Sequence, residues 1–215
     1  NLLVIGLAHC GEPGLAWLRS LPDDYMTKKQ TVSYAGLFDD VGADAWYAPS
    51  VDYVKYGRLM YGTGNNLFQP DAQMTRAMFA QVLYALEGSP SVRGLSCPFA
   101  DAGGSWYTDA VIWAYHAGVV AGVSATQFAP NEALTREQMV TMLYGYAGRD
   151  EQLSGSDGAL ASYQDQASVS GWAREAMAWA VSTGVITGTS TTTLAPQKIG
   201  TRAEVATVLM QFCEQ

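Results

Sequence analysis

The stretch Leu134-Thr135-Arg136-Glu137-Gln138-Met139-Val140-Thr141-Met142-Leu143-Tyr144-Gly145-Tyr146 decides the fold. Threonine ahead of an apolar periodic run marks a helix start, because its hydroxyl accepts a hydrogen bond from a first-turn amide, worth about 1 kcal/mol. Gln138, three residues on, can reach back to the threonine amide and complete a capping box. Met139, Met142, Leu143 and Tyr146 then fall on one helical face. The spacing predicts a helix that opens at the Thr-Arg pair and buries that face.

The pattern occurs three times. Thr75-Arg76 precedes Phe79, Val82, Leu83 and Leu86, and Thr201-Arg202 precedes Val205, Val208, Leu209 and Phe212. Thr201-Arg202-Ala203-Glu204 is a second full capping box, whereas copy one has Met78 at the third position and keeps only the threonine. Working outward, Trp46, Trp106 and Trp172 recur at the same two spacings, as do Gly62, Gly122 and Gly188, then Pro70, Pro130 and Pro196. An aromatic residue followed by aspartate recurs with small shifts, as Phe38/Asp40, Phe99/Asp101 and Tyr163/Asp165. Such self-similarity is the mark of a repeat architecture. The repeats run 36–90, 97–150 and 161–215. Residues 1–35 stand outside them, as an extension or the tail of a preceding domain.

Each copy reads as helix, turn, helix. The first helix is expected to start near the tryptophan, with Trp106, Ala110, Trp113 and Ala117 on one face, and Trp172, Ala176, Trp179 and Ala180 repeating it. Short apolar runs then end in Gly62, Gly122 and Gly188, where glycine suits a helix C-terminus or a turn needing positive φ. Two short helices cannot bury such faces alone, so the copies must pack on one another into an all-α body with inter-repeat grooves. Segment 148–160, with Gly148, Ser154-Gly155-Ser156 and Gly158, reads as a linker.

Composition narrows the function classes. Of 215 residues 48% are hydrophobic, enough for a core, and 15% charged residues with a mean hydropathy of +0.01 fit neither a disordered chain nor a membrane protein. The net charge of -8, from 12 basic and 20 acidic residues, is the reverse of a nucleic-acid domain. An anionic ligand would have to be met by a few placed cations. The apolar run Leu2–Ala8 is far short of the roughly 20 residues that span a bilayer and lacks the basic flank of a signal peptide. The chain therefore reads as a fragment of a larger protein whose export signal lies elsewhere. Cys10, Cys97 and Cys213 form no C-x-x-C pair and read as apolar thiols.

Capping explains the threonines and the Glu or Gln of each motif, but not the arginine. A cation in a first turn meets the positive end of the helix dipole, yet Arg76, Arg136 and Arg202 all sit there. First-turn N–H groups beside a guanidinium form an anion corner suited to a carboxylate. The alternative is a salt bridge from each arginine to Asp40, Asp101 or Asp165. Trp113 and Trp179 read as core. For Trp46, Trp106 and Trp172 both a core position and a ring platform for a sugar stand open. His9 and His116 pair with no Cys or Ser in sequence, and Asp23-Asp24 and Asp39-Asp40 are turn and cap residues, so no catalytic, metal or cofactor residue is assigned.

These motifs resemble the S-layer homology repeat: Phe38-Asp39-Asp40, Trp46-Tyr47, Phe68-Gln69-Pro70 and Thr75-Arg76-Ala77 in copy one; Phe99-Ala100-Asp101, Trp106-Tyr107, Phe128-Ala129-Pro130 and Thr135-Arg136-Glu137 in copy two; Leu194-Ala195-Pro196 and Thr201-Arg202-Ala203-Glu204 in copy three. The resemblance implies a pseudo-threefold helical bundle that holds a bacterial surface protein on the cell wall from outside. It implies non-covalent binding of a secondary cell-wall polysaccharide, or of peptidoglycan, often through a pyruvate ketal on an amino sugar. Arg76, Arg136 and Arg202 would lie in the grooves with Thr75, Thr135, Thr201, the three tryptophans and the three aspartates. Neither catalysis, membrane insertion nor a nucleic-acid partner is implied. The departures make the grooves unequal: Met78 for glutamate, Arg58 where the other copies have Gly118 and Gly184, Thr-Arg-Glu-Gln in copy two, and Ala173 and Leu194 in copy three. Arg58 would either add a cation to one groove or block it. A competing reading is a self-assembly or protein-binding module of a surface layer with no glycan ligand.

Overall fold

In the computed structural model, which describes residues 37–149, 153, 155–156 and 158–214, each Thr-Arg pair opens a helix. Thr135 Oγ1 accepts from the Gln138 amide at 3.3 Å while Gln138 Oε1 accepts from the Thr135 amide at 3.1 Å. Thr201 and Glu204 repeat the box at 3.3 and 3.2 Å. Thr75 keeps the single bond to the Met78 amide, at 3.2 Å. The described residues form six α-helices: α1 (Ala48–Tyr56), α2 (Arg76–Leu86), α3 (Thr108–His116), α4 (Arg136–Ala147), α5 (Arg174–Ser182) and α6 (Arg202–Cys213). Two short 3-10 helices, Gln166–Ser168 and Gly171–Ala173, and isolated bridges occur beside them among the described residues, so the fold is all-α. Among the described residues no helix is long and apolar enough to cross a membrane. Residues 1–36, with His9 and Cys10, lie outside the described part.

The twelve apolar positions read from the second helices are all buried, from Phe79 through Met139 to Phe212. The first helices differ from expectation. They begin two residues after each tryptophan, near the expected start, but the buried residues of α3 are Ala110, Val111, Ile112, Trp113 and Ala114. Trp106 precedes the N-cap, so the helical period does not fix its direction, and Ala117 follows the last turn.

The three repeated glycines also have another cause than the one expected. None of Gly62, Gly122 and Gly188 has positive φ. A Cβ on Gly122 would lie 2.3 Å from the Ser124 carbonyl oxygen and 2.5 Å from that of Gln127, and one on Gly188 would meet Ser190 O at 2.3 Å. Glycine is there because backbone passes too close for any side chain. The left-handed turn comes four residues earlier, at Gly118 (φ 73) and Gly184 (φ 79), and copy one puts Arg58 there at φ 56. Arg58 is exposed. A side chain in that conformation costs roughly 1–2 kcal/mol, offset in part by its lower freedom when unfolded. Arg58→Gly is expected to raise stability by about 0.5–1 kcal/mol in a urea titration.

The chain divides into two compact units. One holds the described residues of Asn1–Ala72 together with Ala85–Gly88 and Thr201–Gln215, and the other holds Gln73–Tyr84 and Ser89–Gly200. In the first unit α1 packs on α6. Asp52 on α1 is 4% exposed, where copies two and three have Ile112 and Ala178. Burial alone pushes its carboxyl up to about 6. Because the folded chain then holds a proton that the unfolded chain has lost, stability falls as pH rises from about 4 through about 6. Asp52→Ala is expected to gain roughly 1–3 kcal/mol on the parent at pH 7. The gap should narrow to little at pH 4, read from paired denaturation curves.

In the second unit Met74, Leu134 and Gly200, equivalent positions of the three copies, form a closed ring of backbone bonds. Met74 donates to Gly200 at 3.1 Å, Gly200 to Leu134 at 2.9 Å and Leu134 to Met74 at 2.8 Å. α4 packs on α5, and Gly155 from the segment expected to be a linker passes so close to α5 that a Cβ would lie 2.4 Å from the Trp179 nitrogen.

Candidate functional site

Each Thr-Arg helix starts against the loop of another copy. The Arg76 and Ala77 amides donate to Glu132 and Pro130 carbonyls at 3.0 Å each, and the Arg136 and Glu137 amides to Lys198 and Pro196 at 2.9 and 3.0 Å. In the other unit Arg202 and Ala203 donate to Ala72 and Pro70, both at 2.9 Å. The first-turn amides expected to form an open anion corner are thus filled by carbonyls.

The guanidiniums follow them inward. Arg76, Arg136 and Arg202 are only 6%, 6% and 9% exposed. Arg76 donates from Nε to Phe128 O at 2.9 Å and from Nη2 to Ala121 O at 3.2 Å. Arg136 does the same to Leu194 O at 3.2 Å and Thr187 O at 2.9 Å, and Arg202 to Phe68 O at 2.7 Å and Tyr61 O at 2.6 Å. Arg76 and Arg202 also lie over the Phe128 and Phe68 rings, at 4.7 and 4.6 Å from their centroids. Burial lowers both guanidinium pKa values, with Glu132 and Asp101 working the other way at Arg76 and Asp40 at Arg202. Both remain cations, as arginine does in proteins.

The aspartates bind backbone rather than arginine. Asp40 accepts from the Phe68 and Gln69 amides at 2.8 and 2.7 Å, Asp101 from Phe128 and Ala129 at 2.8 Å each, and Asp165 from Leu194 and Ala195 at 2.8 and 2.7 Å. The second residue of each pair, Gln69, Ala129 or Ala195, stands at φ 53 to 58 just before proline. The carboxylate holds that rare turn, which in turn aims the Phe68, Phe128 or Leu194 carbonyl at the arginine. Burial raises the Asp101 carboxyl, but the Phe128 and Ala129 amides and the Arg76 charge outweigh it and hold it below the usual carboxylate range. The Leu194 amide, against burial, does the same for Asp165 with help from Ala195.

The tryptophans divide cleanly. Trp113 and Trp179 are buried, while Trp46, Trp106 and Trp172 are 65%, 62% and 59% exposed. Trp172 stands on the edge of a cavity of about 550 Å³ in the second unit, lined also by Arg76, residues 119–123, Gln138, Thr141 and Met142. Contributions come from all three copies: Arg76 from one, residues 119–142 from two, Trp172 from three. Sequence reasoning found Arg76 and Trp172 but missed Gln138, Thr141 and the strip at 119–123, whose residue types carry no chemical signal. Glu137 was missed as well. It is buried, where copies one and three have Ala77 and Ala203, and accepts from Ser170 N at 2.9 Å, Ser170 Oγ at 2.7 Å and Gln197 Nε2 at 2.8 Å. A charge at a position that is alanine in both other copies was the available signal.

Three segments, 37–80, 98–140 and 162–206, match the model of the S-layer homology domain and together cover more than half the chain. Over 185 residues, 86% of this chain and 22% of the relative, the sequence is 28% identical to S-layer protein sap of Bacillus anthracis. It is 30% identical over 192 residues to the surface-layer 125 kDa protein of Lysinibacillus sphaericus, covering 85% of this chain and 15% of the relative. It is also 28% identical over 180 residues to exoglucanase XynX of Acetivibrio thermocellus, covering 83% and 16%. The chain spans less than a quarter of the length of these relatives.

Proposed function

The chain belongs to the S-layer homology domain family, and from that premise we propose that it is a non-catalytic module that anchors a larger surface protein to the bacterial cell wall. Its partner is an anionic secondary cell-wall polysaccharide, pyruvylated on an amino sugar, held without a covalent bond. The same segment in proteins named for a surface layer and for an exoglucanase supports a portable anchor whose cargo lies in the rest of each chain.

The observation that carries the reading is the cavity beside Trp172. Its volume of about 550 Å³ lies in the range of small-ligand sites. It joins an exposed indole, suited to the apolar face of a sugar ring, to a buried cation. On a chain of net charge -8 this is a placed cation and not a general field.

Co-sedimentation with purified sacculi tests this. The chain is expected to pellet with untreated sacculi and to stay in solution once hydrofluoric acid has stripped the secondary polymer. Equal binding to stripped sacculi, or none to untreated ones, would overturn the assignment. Trp172→Ala, which removes an exposed ring without touching the core, is expected to weaken pelleting several-fold.

A further inference from the structure

We infer that Gln138 sets the charge selectivity of the cavity beside Trp172, making copy two the copy whose groove accepts a carboxylate-bearing sugar. The inference rests on the anchoring reading above and adds to it the residue that selects the ligand's charge.

The position is one that this chain varies. The third residue of the helix is Met78 in copy one, Gln138 in copy two and Glu204 in copy three. In copy two the Thr135 amide is a donor and can be met only by an oxygen, so it fixes Gln138 Oε1 at the cap, at 3.1 Å. The other terminal atom of the side chain is therefore the amide nitrogen. Gln138 lines the cavity, and its Nε2 has no acceptor among the described residues. In copy three the cap amide holds Glu204 Oε2 in the same way, at 3.2 Å, which makes the other terminal atom a carboxylate oxygen. The same cap thus presents a donor in one copy and a negative charge in another.

Arg76 makes the difference count. It lines the same cavity, is 6% exposed, and gives two of its N–H groups to carbonyls. No carboxylate pairs with it directly among the described residues. A buried cation without a direct counter-ion favours an entering anion, because low-dielectric surroundings strengthen the attraction. A glutamate at 138 would add a carboxylate to the through-space attraction of Glu132 and Asp101 on Arg76, whereas glutamine adds a donor and no further negative charge. Gly122, also in the lining, differs from its counterpart in a related way. Gly188 donates its amide to the Tyr163 hydroxyl at 3.2 Å, while Gly122 faces Phe99, which has no hydroxyl.

The test is calorimetric titration of the whole chain with two probes: the methyl glycoside of a pyruvate-ketal amino sugar, and the methyl ester of that acid. The parent chain is expected to bind the acid at least ten-fold more tightly than the ester. Gln138→Glu should weaken the acid ten-fold or more and leave the ester within two-fold. Gln138→Met should fall between, losing a donor without adding a charge. Both variants carry residues that this chain uses at the same helix position, so their thermal midpoints should stay within a few degrees of the parent. Unchanged acid binding by Gln138→Glu, or equal weakening of acid and ester, would overturn the inference and leave the anchoring reading standing. A parent chain that pellets with sacculi but binds neither probe would also overturn the inference alone. A parent that binds neither sacculi nor probe would overturn both.

Discussion

Arg202→Ala is expected to lower the unfolding free energy by about 3–4 kcal/mol, among the largest losses any single substitution in the chain should produce. The side chain gives two charge-assisted hydrogen bonds, to Phe68 O and Tyr61 O, and lies over the Phe68 ring. Bonds from a charged donor are worth roughly 1.5–3 kcal/mol each, and their loss leaves carbonyls facing a void with no donor. The estimate sits near the lower sum because the outer bond is only partly buried. Arg202→Lys keeps the charge but has no planar fork to reach two carbonyls at once, so it should recover less than half the loss. Urea denaturation followed by circular dichroism decides it, and a loss under about 1 kcal/mol would contradict the structural role. A triple Arg76/Arg136/Arg202→Ala variant would consequently report on folding before it reported on wall binding.

Gly122→Ala carries the second large effect. The new methyl would stand 2.3 Å from Ser124 O and 2.5 Å from both Gln127 O and the Phe99 ring edge. Two of those three are backbone atoms that cannot swing away, so the loop must shift, at a cost of about 3 kcal/mol or more. Two other glycines calibrate the claim. Gly184 has open space but a φ of 79°, so alanine there should cost only about 1 kcal/mol. Gly171 has open space and no such φ, and alanine should be neutral within about 0.5 kcal/mol. Thermal midpoints in the order Gly171→Ala, Gly184→Ala, Gly122→Ala, highest first, are the expected result. Equal midpoints for the last two would refute the close-approach account.

Periodicity made the cores of the second helices legible in the sequence, because Met139, Met142, Leu143 and Tyr146 lie on one face whatever they pack against. The caps were legible for a similar reason: a capping box is a local device, complete within Thr135–Gln138. What stayed hidden depends on segments far apart in the chain. The arginine partners are carbonyls, and every residue has a carbonyl, so no residue type announces them. Offering Asp40, Asp101 and Asp165 as salt-bridge partners followed side-chain charge, whereas those carboxylates close on the amides at Phe68, Phe128 and Leu194. Glycine at 62, 122 and 188 was visible but its cause was not, since positive φ and close approach leave the same letter in the sequence. For the candidate site, Arg76 and Trp172 stood out by chemistry and repetition, while Gln138 became informative only once the cap showed which end of its amide faces the cap.

The most direct measurement is a titration of acidic wall polysaccharide into the isotope-labelled chain, followed by amide and indole NMR signals. Binding in the cavity beside Trp172 predicts the largest shifts at Val119–Val123, at Gln138 to Met142 and its side-chain amide, and at the Trp172 indole N–H. Shifts confined to residues away from that cavity, with the Trp172 indole and Gln138 amide unmoved at saturation, would contradict it.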